Sequence, residues 1–400
     1  MNIRRLGSVS LGHMSVDIMA SSIAMILTAV SGKFELTLSQ IGLGAMIVMF
    51  ASSLTQPFFG AWADKLRGRW LGPVGLLWYA FFFFLIPFVP SYTLMIVCLT
   101  LGSLGSAAIH TAGMVIAPDA GGDKPTTATS IFFLFGQSGL ALGPIITGFI
   151  LKYQGLAGLP YVAIAILPVV LLMFLFLHEP VRYVGDQERS KGENDRKGNS
   201  PTDVSKVAWA TLALFMLLIL LRSTTFHTYM TFLPAYLDGL GYETDAYGIM
   251  IGAFVFGGAV GTLVGGILGD RFNRRLVIFT SLIVAIPFCF IMLGASGLLF
   301  YAAAFAAGAL LNMSHSILIV IGQALIPNQK GMMSGATLGF MFASGSIMAW
   351  LAGEAADVYG LPTIMYVLAI VPVTGALMVL LLPSTRPNTA EGPAVAAAGD

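Results

Sequence analysis

Two stretches of this chain share one pattern: GAWADKLRGR at residues 60–69 and GILGDRFNRR at residues 266–275. Each follows a long apolar run and contains a glycine, an aspartate four residues later and several basic residues. Asp64 and Asp270 are 206 positions apart in a chain of 400 residues, so the spacing indicates two tandem copies of one unit. A short basic loop after an apolar run is typical of a membrane face.

The composition also predicts a membrane protein. Hydrophobic residues make up 57% of the chain and charged residues 10%, which leaves too little polar surface for a soluble protein of this size. The net charge of +1 gives no indication of a nucleic-acid partner, and we expect none. The lipid bilayer is the first expected partner.

A transmembrane helix needs about 20 mostly apolar residues, and twelve such stretches can be placed in this sequence. They predict an all-α integral membrane protein with two six-helix bundles, related by a pseudo-two-fold axis along the membrane normal. The stretches lie at residues 7–30, 39–62, 71–89, 93–117, 126–151, 158–177, 207–235, 246–268, 276–294, 298–323, 332–353 and 361–382.

These stretches divide the chain into four parts. Residues 1–178 form the N-terminal bundle and residues 207–382 the C-terminal bundle. Residues 179–206 are rich in charged residues, Gly and Ser, so we expect a hydrated cytoplasmic linker. Residues 383–400 are mostly Pro, Ala, Gly and Thr, and we expect a disordered cytoplasmic tail.

The basic residues segregate to one side of this predicted topology. Only Lys33 and Lys152 fall on the opposite side, and Arg222 alone falls within a helix. Because cytoplasmic loops carry most Lys and Arg residues, both termini are predicted to be cytoplasmic. The other seventeen are Arg4, Arg5, Lys65, Arg67, Arg69, Lys124, Arg182, Arg189, Lys191, Arg196, Lys197, Lys206, Arg271, Arg274, Arg275, Lys330 and Arg386.

The repeated loops and the twelve-helix duplication resemble the major facilitator superfamily. Within it, GHMSVD at 12–17, SSLTQP at 52–57 and GSAAIH at 105–110 resemble the fosmidomycin-resistance family of bacterial drug exporters. The segment GLALGPIITG at 139–148 is similar to the helix-5 motif of proton-coupled antiporters. The resemblance implies a bacterial inner-membrane antiporter, and we expect a monomer.

Ionisable side chains inside a bilayer are costly, at about 2.5 to 3.5 kcal/mol each, and therefore indicate a partner or a function. His13, Asp17 and Ser21 recur every four residues, so they line one face of the first predicted helix. We expect Asp17 and His13 to take part in proton coupling, with His110 extending the relay because an imidazole titrates near neutral pH. A permanent ion pair between Asp17 and Arg222, locking the two halves together, is the alternative.

Arg222 lies at a depth comparable to Asp17 in the seventh predicted helix. Its guanidinium suits an anionic substrate group such as a phosphonate or carboxylate, as the family resemblance also implies. Gln137, Tyr229 and His227 are predicted substrate contacts, although each would equally serve as a polar group in helix packing. His315 is a fourth predicted contact, and its alternative is a histidine whose hydrogen bonds are satisfied locally by Asn312, Ser314 and Ser316.

The repeated loops are predicted to act as a cytoplasmic latch, with each aspartate capping a facing helix and the basic residues pairing with nearby acids. Topology alone would explain the arginines but not the paired aspartates. The predicted latch residues are Gly60, Asp64, Lys65, Arg69, Gly266, Asp270, Arg271 and Arg275.

In the helix-5 motif, small residues and a proline let a helix pack closely and bend. Ordinary small-residue packing explains this stretch about as well as a special role in antiport. The motif residues are Gly139, Gly143, Pro144 and Gly148.

No P-loop is present in the sequence, so a proton gradient is the expected energy source and no cofactor is expected. A metal site is not expected either, since His110 and His315 have no second ligand at helical spacing. The sequence thus predicts a proton-coupled secondary transporter, not an enzyme, that exports a small anionic or amphiphilic compound. A proton-coupled importer, an intramembrane enzyme and a ligand sensor are the alternatives.

Overall fold

A computed structural model of the protein describes residues 1–66, 70–178, 209–325 and 330–382. Within these ranges, the side chains of residues 64–65, 125–127, 210, 270, 323–324 and 330–335 are outside the description. The predicted linker, residues 179–206, and the predicted tail, residues 383–400, lie outside the described residues. All the regular secondary structure described is helical.

The first half of the described chain contains seven α-helices and two short 3-10 turns, at Ile86–Phe88 and Gly155–Gly158. The α-helices are α1 Ile3–Ser21, α2 Ile23–Phe34, α3 Leu38–Lys65, α4 Leu71–Leu85, α5 Tyr92–Gly121, α6 Pro125–Gln154 and α7 Leu159–Phe176.

The second half likewise has seven α-helices in the residues described. They are α8 Trp209–Gly239, α9 Thr244–Arg271, α10 Arg274–Gly294, α11 Gly297–Asn312, α12 Ser314–Leu325, α13 Lys330–Tyr359 and α14 Leu361–Val379.

Eleven stretches of the described chain are long and apolar enough to cross a membrane. One of them, Ala128–Phe176, is 49 residues long and contains both α6 and α7, separated by the turn at Gly155–Gly158. Two others are interrupted, because α1 and α2 share the stretch Ile3–Phe34, and α11 and α12 share Gly297–Gly322. The number of membrane crossings therefore stays a prediction.

The outer surface of the helices is apolar, and aromatic residues lie near both of its ends. Trp62, Trp70 and Trp209 are exposed at one end of the helices, and Tyr153 and Tyr359 at the other. Trp and Tyr favour the two membrane–water interfaces, where an amphipathic ring meets both apolar and polar surroundings. This distribution suits helices that lie across a bilayer, where backbone groups must be satisfied within the helix.

Successive helices run in opposite directions, except that α2 continues the direction of α1 and α12 that of α11, so the helix ends form two faces. We call the face that carries residue 1 and the loops at 122–124 and 272–273 the near face. The opposite face, with the loops at 35–37, 155–158 and 240–243, is the far face.

Each half packs mainly on itself: α1 contacts α6, α4 contacts α5 and α7, α9 contacts α11, and α8 contacts α13. The main contacts between the halves are those of α6 with α9 and of α3 with α13. In addition, α2 packs on α8.

Polar contacts cross between the halves at the far face. The Lys152 Nζ atom lies 2.9 Å from the Asp245 Oδ2 atom. At the second junction between the halves on this face, where α3 meets α13, the backbone N–H groups of Leu38 and Ser39 each donate to the Asp357 carboxylate over 2.8 Å. The Ser39 hydroxyl also donates to Glu354. We refer to these contacts together as the far-face clasp.

Candidate functional site

The polar stripe predicted for α1 is present and faces protein. His13 and Asp17 are 3% and 5% exposed, and the Ser21 hydroxyl donates to the backbone carbonyl of Asp17 over 2.8 Å. A buried charge is tolerated only with partners. The surroundings of Asp17 therefore define the site.

Two imidazoles face the Asp17 carboxylate, one at each oxygen. The His13 Nε2 atom lies 3.2 Å from Oδ2, and the His110 Nε2 atom lies 3.3 Å from Oδ1. The two rings meet edge to face with centroids 4.7 Å apart. We call His13, Asp17 and His110 the triad. His110 is its accessible edge, since its side chain is 28% exposed.

Backbone carbonyls fix the tautomers of both histidines. The His13 Nδ1 atom lies 2.9 Å from the Phe132 carbonyl oxygen, and the His110 Nδ1 atom lies 2.8 Å from that of Ser106. A carbonyl oxygen only accepts, so each Nδ1 carries hydrogen. In a neutral imidazole the Nε2 lone pair then points at a carboxylate oxygen. Each of these contacts becomes attractive only when a cation, such as a proton, lies between the nitrogen and the oxygen.

Small residues on α6 let it approach the triad. A methyl group at Gly136 would lie 2.3 Å from the His13 ring, and one at Gly139 would lie 2.3 Å from the Met14 carbonyl oxygen. Phe132, one turn before Gly136, stacks on His13 with ring centroids 4.1 Å apart. Gly136, Phe132 and Ser106 were not predicted as site residues, because nothing in the local sequence indicates which residues contact His13 or His110.

The rest of the helix-5 motif joins α6 to two other helices. At Gly143 a methyl group would lie 2.4 Å from the Ile18 carbonyl oxygen of α1. Gly148 and Pro144 lie against the start of α9, where a methyl group at Gly148 would be 2.5 Å from the Thr244 carbonyl oxygen. The motif thus packs α6 against α1 in the first half and against α9 in the second half.

Arg222, on α8, is 2% exposed. Its guanidinium donates to the Asn312 side-chain oxygen at the end of α11 and lies 5.9 Å from the centre of the Phe226 ring. The Nε atom has no hydrogen-bond partner among the described residues. No carboxylate of the described chain forms an ion pair with Arg222, and Asp17 is paired with the two histidines instead. The alternative of a direct ion pair between Asp17 and Arg222 is therefore not what this structure contains.

The other predicted substrate contacts differ in their surroundings. His227 is half-buried, with its ring 5.5 Å from that of Phe342, and His315 is half-buried as well. Gln137 is exposed. Tyr229 is fully buried, and its hydroxyl donates to the Met365 carbonyl oxygen over 3.1 Å. None of these placements tests a substrate role, which stays a prediction.

The predicted latch also stays a prediction. Arg69 and the side chains of Asp64, Lys65 and Asp270 lie outside the described part of the structure. Of the other basic residues, Arg271 is exposed, and Arg275 donates to the Leu380 carbonyl oxygen over 3.3 Å. The two latch glycines, Gly60 and Gly266, are described and lie in α3 and α9.

Comparison with known proteins gives the family. The sequence profile of the Major Facilitator Superfamily matches residues 9–247 and 216–398. The fosmidomycin resistance protein of Escherichia coli (strain K12) is 30% identical over 95% of this chain and 93% of its own length. An uncharacterized MFS-type transporter of Bacillus subtilis (strain 168), YfnC, is 31% identical over 94% of this chain and 92% of its own.

Solved structures agree in fold. A bacterial homolog of the human lysosomal transporter Spinster, in an inward-facing and occupied conformation, superposes with a TM-score of 0.77 at 14% identity, over 94% of this chain and 95% of that one. The nucleoside transporter NupG gives a TM-score of 0.73 at 14% identity, over 95% of this chain and 99% of that one.

A helical bundle with an apolar outer surface, and with ionisable groups buried within it, indicates an integral membrane protein whose buried polar side chains have a function. The family match identifies this membrane protein as a secondary transporter rather than an enzyme. The chain belongs to the Major Facilitator Superfamily, and the resemblance to the fosmidomycin-resistance family drawn from its motifs is confirmed.

Proposed function

We propose that this protein is a proton-coupled antiporter that exports a small anionic or amphiphilic compound, as in drug efflux and antibiotic resistance. The observation that carries the proposal is the triad, in which two imidazoles with fixed tautomers face one buried carboxylate. Such a site binds protons between its own atoms. Arg222, a buried cation without a carboxylate partner in the described chain, supplies a complementary site for an anionic group.

The proposed topology is twelve transmembrane helices in two six-helix bundles, with the near face and both termini in the cytoplasm of a bacterium. The segregation of Lys and Arg supports this orientation. With the far face outside, the far-face clasp closes the outer side, and the described state corresponds to an inward-facing one. The protein is proposed to work as a monomer in the inner membrane.

Exchange requires that substrate and proton compete. We infer that the exported compound contacts both halves, with an anionic group on the Arg222 guanidinium and a polar donor on the Asp17 carboxylate. The donor then occupies the position that a proton takes at the triad. His110, the exposed edge of the triad, is the side from which such a group would arrive.

An importer remains the second candidate, and electrostatics favour it in one case. If the compound contacts Arg222 alone, a proton on the triad removes a nearby negative charge and strengthens binding of the anion. Proton and substrate then bind together and move in the same direction. The sign of the linkage between the two ligands therefore separates antiport from symport.

The test uses purified protein in proteoliposomes with an imposed pH gradient and labelled fosmidomycin as the first probe, because a relative is named for resistance to it. Antiport predicts flux opposite to the proton flow, and proton release when the probe binds in weakly buffered detergent solution. Proton uptake on binding, with flux along the proton flow, would establish the importer instead. Binding without flux in either gradient would contradict transport and indicate a ligand sensor.

A further inference from the structure

We propose that the triad is also a binding site for a divalent transition-metal ion such as Zn²⁺ or Co²⁺. The inference goes beyond the proposed transport function, although it concerns the same three side chains. Metal and proton would exclude each other, because both need the space between the imidazole nitrogens and the carboxylate.

The donor atoms have the spacing that a small metal ion requires. One ligand atom from each of His13, Asp17 and His110 can be chosen so that all three lie within 4.8 Å of one another. The His13 Nε2 atom lies 3.2 Å from one Asp17 oxygen, Oδ2, and the His110 Nε2 atom lies 3.3 Å from the other, Oδ1. In a tetrahedral zinc site with bonds of about 2.0 to 2.2 Å, neighbouring ligand atoms are about 3.3 Å apart. Because the two imidazoles contact different carboxylate oxygens, the three side chains would shift toward one another when they bind the ion.

The histidines are already in the tautomer that a metal needs. Both Nδ1–H groups are held by backbone carbonyls, of Phe132 and Ser106, which leaves both Nε2 lone pairs directed at the carboxylate. Metal-binding histidines usually donate their other N–H to a carbonyl or carboxylate, and this contact fixes the ring. Both histidines of the triad thus already make the second hydrogen bond that orients a metal-binding imidazole.

The donor set selects the kind of metal. Two imidazoles and one carboxylate suit Zn²⁺, Co²⁺ or Ni²⁺ and are a poor match for Mg²⁺ or Ca²⁺, which prefer oxygen ligands. Three protein ligands leave a fourth position open. That position would face the exposed edge of His110 and could take water or an oxygen atom of a chelating substrate.

A matched control exists in the second half of the chain. His227 and His315 are half-buried imidazoles, and both interact electrostatically with the Arg222 guanidinium. They have no place in the described clusters of metal-ligating side chains, and a neighbouring guanidinium repels a cation. Substituting them removes imidazoles from the bundle without changing the triad.

The experiment measures Co²⁺ binding by visible absorption, and Zn²⁺ binding by calorimetry, on the full-length protein in detergent with any affinity tag removed. We expect one ion per chain, and an affinity at least tenfold lower in Asp17→Asn and in His110→Gln. The double variant with His227→Gln and His315→Gln should bind like the parent. All variants are first compared by gel filtration and far-UV circular dichroism to show that they fold.

Equal Co²⁺ affinity in the parent and the triad variants would overturn the inference, as would an equal loss in the control. Transport is measured separately in the presence of a chelator. Proton-driven flux that persists under chelation, in a protein that does not bind Co²⁺, would leave the proposed function standing and refute only the metal site. Conversely, metal binding by a protein without proton-driven flux would refute only the proposed function.

Discussion

At the scale of single residues, Asp17 and Arg222 show how the two halves of the molecule differ at equivalent positions. They are 205 positions apart, the same separation as His110 and His315. The duplication therefore aligns an acid and a histidine in the first half with a base and a histidine in the second. The acid faces two imidazoles, whereas the base contacts the Asn312 amide, the Met341 thioether and the Phe226 ring.

We expect Asp17→Asn to abolish uphill, proton-driven transport while leaving downhill substrate exchange largely intact. The amide keeps the shape of the carboxylate but removes the charge that holds protons between it and the two imidazoles. Flux into proteoliposomes is measured with and without a pH gradient. Uphill accumulation by the variant at the parental level would contradict a role for Asp17 in coupling.

Arg222→Ala should lower the affinity for an anionic substrate at least about tenfold, because a hydrogen bond to a charged group contributes about 1.5–3 kcal/mol. Arg222→Lys should retain part of the affinity, since it keeps the charge and loses only the planar fork. Binding is measured by calorimetry on the detergent-solubilised protein. An unchanged affinity in Arg222→Ala would exclude Arg222 from the substrate site.

At the scale of helices, the contact of α1 with α6 determines the geometry of the triad. Close approach depends on glycine at positions 136, 139 and 143, where a side chain would meet the His13 ring or the α1 backbone. Helix association in membranes relies on such close packing, because burial of apolar surface gives no advantage over lipid. The spacing of this small-residue stripe therefore places the Phe132 carbonyl against His13.

Gly139→Ala is expected to lower the free energy of unfolding by about 1–3 kcal/mol, as overpacking does in a tight interface. The obstacle is the backbone carbonyl of Met14, which cannot rotate away as a flexible side chain would. Gly7→Ala is the control on the same pair of helices, because no atom lies within 4 Å of the position of its added methyl group. Unfolding in detergent measures both, and equal stability of the two variants would contradict this account of α6.

At the scale of the whole molecule, the two halves meet through α6 with α9 and α3 with α13, and the far-face clasp adds charged contacts at one end. Asp357 acts across the halves as the cap of α3, since it accepts from the first two N–H groups of that helix. An anion at a helix N-terminus is favoured by both hydrogen bonding and the helix dipole. The alternating access that we propose for this protein would require this contact to break.

Asp357→Ala should shift the protein toward a state open at the far face. Loss of such a cap costs about 1 kcal/mol, which changes a population ratio about fivefold. Spin labels at the exposed positions Tyr161 and Leu298, one in each half, report the distance across this face. Glu35→Ala, which removes another exposed far-face carboxylate, is the control. An unchanged distance distribution in Asp357→Ala would show that the clasp does not set the conformational equilibrium.

The predicted near-face latch leads to the opposite expectation. Asp64→Asn should favour the state open at the near face, with a population ratio changed by about 5- to 150-fold if the coupling is about 1–3 kcal/mol. Spin labels on the near-face ends of α5 and α12 would then move apart. If the distances stay the same, these loops act as topology signals only.

The sequence alone determined the membrane class, the family and most helix positions. Hydropathy averages over about 20 residues, so it located the run at 71–89, where the structure has α4 and the turn at Ile86–Phe88, and the run at 361–382, where it has α14. Periodicity within one helix also identified the stripe of His13 and Asp17. These properties are local, and a single helix is enough to express them.

Only the tertiary structure decided what Asp17 contacts. His110 is on another helix, and the carbonyls of Phe132 and Ser106 orient the two rings. The pairing of Arg222 with Asn312 and the capping of α3 by Asp357 likewise join residues far apart in the chain. Such pairs depend on how helices cross and rotate against each other, which the packing of all their side chains determines together. A pattern along one helix does not contain that information.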